Sequence, residues 1–265
     1  MKIATWNINS IKSRLGHVLK WCEVNRPDIL CLQETKVTDA AFPRKAFADL
    51  GYEHAAVHGQ RAYNGVAIVS LRPLADASTG LPGDKADTHK RLVAATIDRV
   101  RIVNAYVPNG GTPDSDKYVY KLKWLARLRK YFDKEFTTDD QIIFCGDLNV
   151  APHELDIWNP ARFKDKVHFT KPERDALLNV KRWGFADLFR QMNGEVREYS
   201  FWDHAEWSFR KDQGMRIDHI WASPPLAESC TSCYIDKTPR GWEHPSDHAP
   251  VVAEFKILSI DRPTS

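Results

Sequence analysis

Short apolar runs, rich in β-branched residues, recur along the whole chain of 265 residues. Runs of this length, bounded by turn-forming residues, are typical of buried strands. Eight strands are predicted on this basis, over residues 2–6, 28–32, 65–70, 92–97, 102–107, 141–145, 216–222 and 250–255.

Amphipathic stretches alternate with these strands and predict helices over residues 14–25, 42–50, 117–136 and 173–183. In the third stretch, Leu122, Leu125, Leu128 and Phe132 follow one another at intervals of three and four residues, which indicates one buried helix face. Helices and strands are interleaved, and no Pro/Gly/Ser-rich linker divides the chain. We therefore expect one layered α/β domain over residues 1–258, followed by a tail over residues 259–265.

The longest predicted loops cover residues 73–91, 108–116, 151–170 and 193–214. Binding and catalytic residues are often carried by such loops, so these are the places where we expect substrate contacts. The segments 2–9 (KIATWNIN) and 142–149 (IIFCGDLN) resemble each other, each being a strand that runs into an asparagine. This similarity suggests two equivalent halves.

The composition is that of an ordinary globular protein, with 43% hydrophobic and 28% charged residues. The sequence has no apolar run of the roughly 18 residues that a membrane span requires, and no signal-peptide pattern. We therefore expect a cytoplasmic protein without a membrane partner. The net charge of +3 is compatible with nucleic-acid binding but does not indicate it, because phosphate attraction depends on local clusters.

The chain has five cysteines, an odd number that argues against a disulfide framework. Cys31 and Cys145 lie in apolar strand runs, where a thiol behaves as a small hydrophobic group. Cys230 and Cys233 form a single C-x-x-C pair without a second pair, so a zinc site is not expected. A redox role for this pair stays open beside the simpler interpretation of a structural pair.

Polar residues able to bind a cation or move a proton stand at or beside the ends of five predicted strands. They are Asn7 with Asn9, Glu34, Asp147 with Asn149, Asp218, and Asp247 with His248. Each could separately be a turn residue or an exposed loop residue. A charged group beside a buried strand is unfavourable unless it is paired, bound to metal or at the solvent edge. Five such coincidences favour one cleft at a common sheet edge.

Carboxylate and amide oxygens are hard ligands, which suit Mg²⁺, Mn²⁺ or Ca²⁺ better than zinc. Glu34 is the first candidate for a direct ligand. His248 invites a general-base interpretation, but adjacent residues of an extended chain point apart, so Asp247 is poorly placed to orient it. Asp218 is the better partner, and Asp247 is then available to the metal. The alternative for His248 is a hydrogen-bonded histidine at a sheet edge.

Nine segments of the chain together resemble the exonuclease III family of apurinic/apyrimidinic (AP) endonucleases, within the endonuclease–exonuclease–phosphatase superfamily. In chain order they are WNIN, LQETK, YNGVAIVS, NAYVPNG, GDLNVAP, FTKPER, YSFWD, RIDHIWAS and PSDHAPV. The resemblance runs nearly end to end, and the order and approximate spacing are those of the family. It implies a four-layered α/β sandwich of the DNase I-like type, with two mixed sheets flanked by helices.

The resemblance also implies Mg²⁺-dependent incision 5′ to abasic sites and 3′-to-5′ removal of nucleotides or blocking groups from duplex DNA. Mn²⁺ is expected to substitute for Mg²⁺, and the protein is expected to act as a monomer. The implied metal environment is Asn7, Glu34, Asp147, Asn149, Asp247 and His248. Among the implied catalytic residues, Tyr106 contacts the scissile phosphate, Asp147 handles a proton, Asn149 orients the attack, and Asp218 holds His248.

The implied DNA contacts lie on the same loops. Those to the backbone are Lys36, Tyr63, Asn64, Arg91, Asn109 and Arg216, and Lys12 and Arg14 are further candidates. Phe201, Trp202 and Met215 resemble an apolar wall that admits a flipped-out deoxyribose without its base. The alternatives are solvated charges for the basic residues and core positions for the aromatic ones.

The chain departs from some relatives at three places. Asn9 stands where some have a carboxylate, and the loop after Pro108 lacks an arginine that some endonucleases insert into DNA. His168 stands where some have a smaller residue. Our hypothesis is that this imidazole narrows the path of continuous duplex and favours cleavage at 3′ ends.

Two further functions remain as alternatives. The same catalytic set could act on another phosphoester, such as an inositol phosphate, sphingomyelin or an RNA tail. From a different class, the chain could be a non-catalytic nucleic-acid-binding scaffold, although the intact polar set argues against this.

Overall fold

The structure is a computed structural model that describes residues 1–83, 87–203 and 208–256. The strands in these ranges are β1 (Lys2–Asn7), β2 (Ile29–Gln33), β3 (His54–His58), β4 (Val66–Ser70), β5 (Ala75–Thr79), β6 (Leu92–Ile97), β7 (Val100–Tyr106), β8 (Ile142–Asp147), β9 (Ala186–Asp187), β10 (Asp218–Ala222), β11 (Cys230–Ile235) and β12 (Val251–Phe255). The helices are α1 (Ile11–Asn25), α2 (Arg44–Ala48), α3 (Asp116–Glu135), α4 (Pro160–Phe163), α5 (Lys171–Lys181), α6 (Leu188–Asn193) and α7 (Pro224–Ala227).

The strands form two six-stranded mixed sheets. The first has the order β11-β12-β1-β2-β4-β3 and the second the order β5-β6-β7-β8-β10-β9. In each sheet the two central strands are parallel, β1 with β2 and β7 with β8, and the other neighbours are antiparallel. A long helix connects each parallel pair, as parallel strands require. The carboxyl ends of the two strands in each pair therefore lie side by side.

The two sheets repeat one topology, which bears out the prediction of two equivalent halves. The strand orders make β1 equivalent to β7 and β2 equivalent to β8. The sequence comparison had instead matched the segments that contain β1 and β8, and this pairing was wrong. Those segments are alike because both strands carry a polar residue to the same site, as described below.

Hydrophobic clusters divide the molecule into four layers. One cluster lies between the two sheets and includes Ile29, Ile102 and Ile143. A second covers the outer face of the first sheet with α1 and α2, and a third covers the outer face of the second sheet with α3 and α5. The predicted four-layered α/β sandwich of the DNase I-like type is confirmed.

All eight predicted strands and all four predicted helices are present, with their ends shifted by a few residues. Strands β3, β5, β9 and β11 were not predicted from the sequence. All five residues of β5 are exposed, so this strand has no apolar alternation to detect, and β9 is only two residues long. In β11 an irregularity between Cys230 and Ser232 interrupts the period of two.

A buried polar contact joins the sheets beneath the site. Gln33 Nε2, on β2, donates to Asn104 Oδ1 on β7 at 2.7 Å and to Thr5 Oγ1 on β1 at 2.8 Å. Asn104 Nδ2 donates in turn to the carbonyls of Leu32 and Ala67. Buried amides placed in this way select one register between the two sheets.

All five cysteines are buried and free. Cys31, Cys145, Cys230 and Cys233 pack in the cluster between the sheets, as expected of small hydrophobic groups. In the part of the chain that the structure describes, no helix is long and apolar enough to cross a membrane. The predicted tail over residues 259–265 lies outside the described residues, and the single domain over residues 1–258 stays a prediction.

Candidate active site

The ends of the central strands deliver polar side chains from both sheets to one cleft. Asn7 ends β1, Glu34 follows β2, Tyr106 ends β7, Asp147 ends β8, and Asp218 begins the antiparallel strand β10. Gly146 lets β8 approach β7 closely, because a Cβ at this position would lie 1.9 Å from the Ala105 carbonyl oxygen. The predicted convergence of strand ends is therefore present in the structure.

Asn7 links the two sheets at the centre of the cleft. Its Nδ2 donates to Glu34 Oε1 and to Asp147 Oδ2, both at 2.9 Å. Its Oδ1 accepts from the backbone N–H of Asn9 at 3.0 Å. The residues that end β1 and β8 therefore bond to each other across the cleft.

Asp218 orients His248 through a hydrogen bond. His248 Nδ1–H donates to Asp218 Oδ2 at 2.8 Å, and the Ser200 hydroxyl donates to the same oxygen at 2.6 Å. The Ser200 oxygen accepts from the backbone N–H of Asp218 at 3.1 Å. His248 Nε2 lies 3.8 Å from Asp147 Oδ2, which is too far for a hydrogen bond. The imidazole and this carboxylate therefore face a common space.

Burial and charge act in opposite directions on the two groups. Burial, together with the nearby Asp218 and Glu34 carboxylates, raises the pKa of Asp147 despite the opposing His248. Burial lowers the pKa of His248, but Asp218 and Asp147 outweigh it and the net shift is upward. The site therefore pairs a protonated imidazole with a carboxylate that accepts protons more readily than usual.

Tyr106 completes this end of the site. Burial and the carboxylates of Glu34 and Asp147 raise the pKa of its hydroxyl well above the ordinary value. The hydroxyl therefore stays protonated and can donate to an anion. The Arg91 guanidinium lies over the Tyr106 ring, 4.8 Å from its centroid.

Asn149 is held by its neighbours on every side. Its backbone N–H donates to Asp147 Oδ1 at 2.9 Å, and its Nδ2 donates to the Val107 carbonyl at 2.9 Å. Its Oδ1 accepts from Asn109 Nδ2 at 3.4 Å. The buried Lys121 ammonium donates to the carbonyls of Asn149 (2.7 Å) and Asn109 (3.0 Å) and pairs with Glu173.

Asn9 and Lys36 lie beside Asp247 and Glu34 in the cleft. Asn9 Nδ2 donates to Asp247 Oδ1 at 3.1 Å, and Lys36 Nζ donates to Asn9 Oδ1 at 2.5 Å. Lys36 also pairs with Glu34 Oε2 at 2.9 Å. Burial opposes ionisation of Glu34, but the Asn7 hydrogen bond and the Lys36 charge lower its pKa. Asn9 thus connects Asp247 to Lys36 without adding a charge of its own.

Several site residues other than glycine have a positive φ. The angle is +44° at Asn9, +50° at Glu34, +52° at Asn149 and +76° at His168. Such conformations cost on the order of 1–3 kcal/mol each and persist where the surrounding contacts determine the backbone. No sequence pattern indicated them at Glu34 or His168.

The donor set suits a hard divalent cation. Glu34 is ionised, and the Asn7 amide next to it and the carboxylates of Asp147 and Asp218 supply further oxygen atoms. Among the described residues, Asp147, Asp218 and His248 place one candidate ligand atom each within 4.8 Å of one another. Asp218 Oδ1 is buried and has no hydrogen-bond partner among the described residues. Asp218 is a member of this group that the sequence analysis had assigned only to His248.

An apolar wall stands beside His248. The Phe201 ring lies 4.9 Å from the His248 ring and 6.4 Å from the His168 ring. Phe201 pairs with Met215 through backbone bridges, so the two reach the site together. Trp202 differs from the prediction, because it is 0% exposed and its ring packs against Phe209 in the core. The next residue of a strand points to the opposite side, so Phe201 and Trp202 cannot share one face.

The predicted DNA contacts fall into two groups. Lys36, Tyr63, Asn64, Arg91 and Asn109 lie around the cleft, with Tyr63 exposed. Arg216 is 1% exposed, and its guanidinium bonds to Asp156 and Asp187. Arg216 is therefore not placed to contact DNA, because its guanidinium is buried and does not reach the surface.

The two further candidates lie on α1. Lys12 is exposed, whereas Arg14 is half-buried and donates to the backbone carbonyls of Asn9 and Pro245. Sequence reasoning missed Ser200, Lys121 and Glu173. Ser200 and Glu173 lie inside the quoted motifs YSFWD and FTKPER, which were the available signal, and Lys121 appeared only as a polar position of a helix.

Comparisons with known proteins agree with this fold. The Endonuclease/Exonuclease/phosphatase family matches residues 4–248. Exodeoxyribonuclease III of Haemophilus influenzae is 35% identical over 268 residues, which cover 97% of this chain and 100% of the relative. The structure of an AP endonuclease from Archaeoglobus fulgidus is 43% identical with a TM-score of 0.94, and the match covers 97% of this chain and 100% of that one.

A 3′ phosphatase from Neisseria, NExo, has a structure bound to a product DNA hairpin. It is 39% identical with a TM-score of 0.94, covering 97% of this chain and 100% of that one. The chain therefore belongs to the Endonuclease/Exonuclease/phosphatase family. Within it, the predicted resemblance to the exonuclease III family of AP endonucleases is confirmed.

Proposed function

We propose that the chain is a DNA-repair phosphodiesterase that incises 5′ to abasic sites and removes nucleotides or blocking groups from 3′ ends of duplex DNA. The observation that carries the proposal is the cleft in which Asp147 and His248 face one space between Asn7 and Phe201. The relatives that match over nearly the whole chain are named for these activities. We expect a monomeric enzyme.

The proposed cofactor is Mg²⁺, with Mn²⁺ as a substitute. Glu34 would hold the ion together with Asn7 and Asp247, and Asp147, Asn149 and His248 would surround it. When bound, the ion stabilises the negative charge that develops on the phosphoryl oxygens.

The side chains of this chain account for the other steps. Asp147 accepts the proton of the attacking water, for which its raised pKa makes it suitable. Protonated His248 and the Tyr106 hydroxyl donate to the phosphoryl oxygens, and Asn149 orients the nucleophile. Phe201 and Met215 form the wall against which a deoxyribose without a base fits, and a base would collide with it.

One gel experiment tests the proposal. A duplex with an internal abasic analogue and a duplex with a recessed 3′ end are incubated with Mg²⁺ and, separately, with EDTA. We expect cleavage of both substrates with Mg²⁺ only, loss of both in Asp147→Asn, and no change in the exposed control Asp175→Asn. Cleavage that resists EDTA would contradict the metal mechanism. Absence of DNA cleavage, with turnover of another phosphoester, would contradict the proposed substrate.

A second candidate is an enzyme of the same family that prefers 3′ ends, and it rests on His168. Its Nδ1–H donates to the Asn149 carbonyl at 2.8 Å, and Asn109 Nδ2 lies 3.4 Å from its Nε2. Burial and the nearby Lys121 lower the pKa of His168 to about 4, so the ring is neutral at neutral pH. The imidazole thus stands fixed between Asn109 and the Phe201 wall, where it narrows the path of an uninterrupted strand.

His168→Gly tests this candidate. We expect the ratio of internal to terminal cleavage to rise, with no loss of terminal cleavage, because removal of the ring widens the path. His168→Gln is the matched control, since it keeps much of the bulk. An unchanged ratio in His168→Gly would show that the imidazole does not set the preference.

A further inference from the structure

A cavity of about 400 Å³ opens beside the catalytic cleft. Its lining includes the aromatic rings of Tyr63, His89 and Tyr120 and the basic side chains of Arg91 and Lys117. This volume lies within the range of sites that bind small organic molecules. None of the described residues that line the cavity is acidic.

The cavity is joined to the catalytic residues by direct contacts. Arg91, one of its lining residues, lies over the Tyr106 ring and donates to the Tyr106 carbonyl at 3.4 Å. Asn109, another lining residue, donates to Asn149 Oδ1. A group in the cavity is therefore a close neighbour of the scissile phosphate.

The walls are held in place before any ligand binds. Asn64 Nδ2 donates to Gln60 Oε1 at 2.8 Å and lies 3.2 Å from His89 Nδ1. The His89 ring lies 5.5 Å from the Tyr120 ring, and the Tyr120 hydroxyl donates to Asp87. Tyr63 is the exception, because 70% of it is exposed although it is a large aromatic residue.

We propose that this cavity binds one unpaired nucleotide of the strand being cut, with its base against the Tyr63, His89 and Tyr120 rings and its phosphate at Arg91 or Lys117. Aromatic rings combined with basic side chains are the features that bind single-stranded nucleic acid, since every base has a face that can stack. A paired base offers no free face, so the occupant is a nucleotide outside the helix. The inference rests on the proposed function.

Fluorescence quenching tests the proposal without turnover. A 2-aminopurine nucleotide is left unpaired in a duplex and moved one position at a time on both sides of the cleavage point, with the full-length protein in EDTA. We expect quenching at one position, loss of that quenching in Tyr120→Leu and His89→Ala, and its retention in Tyr120→Phe. Quenching at no position, or quenching that both ring-removing variants keep, would overturn the proposal.

Kinetics provide a second readout. For a substrate that is unpaired at that position, we expect KM to rise roughly 5-fold to 150-fold in Tyr120→Leu, as for loss of one base–aromatic stack. For fully paired duplex we expect no change in KM or kcat. An equal rise for both substrates would contradict the proposal, because it would indicate a general effect on structure.

Free deoxyadenosine monophosphate has the same chemistry as the proposed occupant, so we use it as a competitor in the quenching experiment. We expect it to restore fluorescence only when it is far in excess of the DNA. Restoration at concentrations near that of the DNA would show a site for released product and overturn the in-strand assignment. Failure of the proposed function is distinguishable, since the protein would then neither bind nor cleave any DNA, including paired duplex.

Discussion

Two regions of the molecule bury charged side chains and treat them in opposite ways. In the structural cluster (Asp156, Asp187, Arg190 and Arg216), Arg216 Nε donates to Asp156 at 2.8 Å and its Nη2 donates to Asp187 at 2.8 Å. Arg190 also pairs with Asp156. In the catalytic cluster (Glu34, Asp147, Asp218 and His248), Lys36 pairs with Glu34 at 2.9 Å, while Asp147 and Asp218 share one imidazole.

The pKa values show the difference. Burial raises the pKa of Asp156 and of Asp187, but Arg216 outweighs it and both end below their ordinary values. In the catalytic cluster the pKa of Asp147 is raised, and Asp218 Oδ1 has no partner among the described residues. Asp147 and Asp218 are buried as deeply as Asp156 and Asp187. Uncompensated charge, and not burial, therefore marks the catalytic region.

The largest effect that sharpens this comparison is expected from Asp218→Asn. The amide oxygen can keep the bonds from His248 and Ser200, while the new NH₂ group takes the place of the unpartnered Oδ1. The negative charge that keeps His248 protonated is lost. We expect kcat to fall by about 10²–10⁴-fold, the usual contribution of a proton-handling group, with little change in Tm.

The controls for Asp218→Asn are steady-state kinetics and thermal unfolding of Ser200→Ala. That variant removes a hydroxyl bound to the same oxygen but keeps the charge, so its kcat should fall much less. A large drop in Tm for Asp218→Asn, in proportion to its loss of activity, would place Asp218 with the structural cluster instead.

Arg216→Met tests the structural cluster in the same way. It leaves Asp156 and Asp187 buried without their main partner, so the free energy of unfolding should fall by about 3–5 kcal/mol. Urea unfolding measures this directly. Cleavage by the fraction that remains folded should be unchanged. If stability held and DNA affinity fell, the prediction of a DNA contact for Arg216 would be restored.

Arg216 also shows what the sequence could and could not reveal. Arg216 and Asp218 lie two residues apart in the segment RIDH, and both were assigned to function from the motif. The motif located the segment correctly, but only the fold shows that Asp156 and Asp187 surround Arg216. Trp202 was misplaced for a similar reason, since the motif YSFWD does not state which residue faces the cleft.

The fold was more predictable than the contacts within the site. Apolar runs identified eight of the strands in the described ranges, and strand-end polar residues identified the cleft. The exposed strand β5 and the interrupted strand β11 left no such pattern. The Lys121–Glu173 pair could not be predicted from the sequence, because the two residues lie far apart in the chain. A lysine at position 121 is also what an ordinary exposed helix position would carry.

Lys121→Met tests the buried ion pair Lys121–Glu173. The charges of this pair compensate each other, as in the structural cluster, but Lys121 also donates to two backbone carbonyls of the site. Glu173 keeps its bonds from the backbone N–H of His168 and of Thr170, so its loss of a partner is only partial. We expect unfolding free energy to fall by about 1–3 kcal/mol. We also expect kcat to fall, since Asn149 and Asn109 lose their common donor. Circular dichroism and cleavage assays measure the two effects, and Glu173→Gln, which keeps a polar group against Lys121, should be milder in both. An unchanged kcat would confine the pair to stability.

The smallest expected effect concerns pH. The free energy of unfolding differs between the wild type and Arg216→Met, and we expect this gap to change with pH. Because Arg216 lowers the folded-state pKa of Asp156 and Asp187, their contribution is complete above the unfolded-state pKa of about 4 and is lost as pH falls through the folded values. The gap should therefore be widest near neutral pH and narrow by about 1–2 kcal/mol on acidification below pH 4. Urea unfolding across this range measures it.

Lys171→Met, which breaks the exposed pair with Asp175, is the matched control and should show almost no gap at any pH. A gap that stays constant in acid would mean that Arg216 stabilises the fold by packing against Phe189, whose ring centroid is 5.1 Å away, and not through its charge.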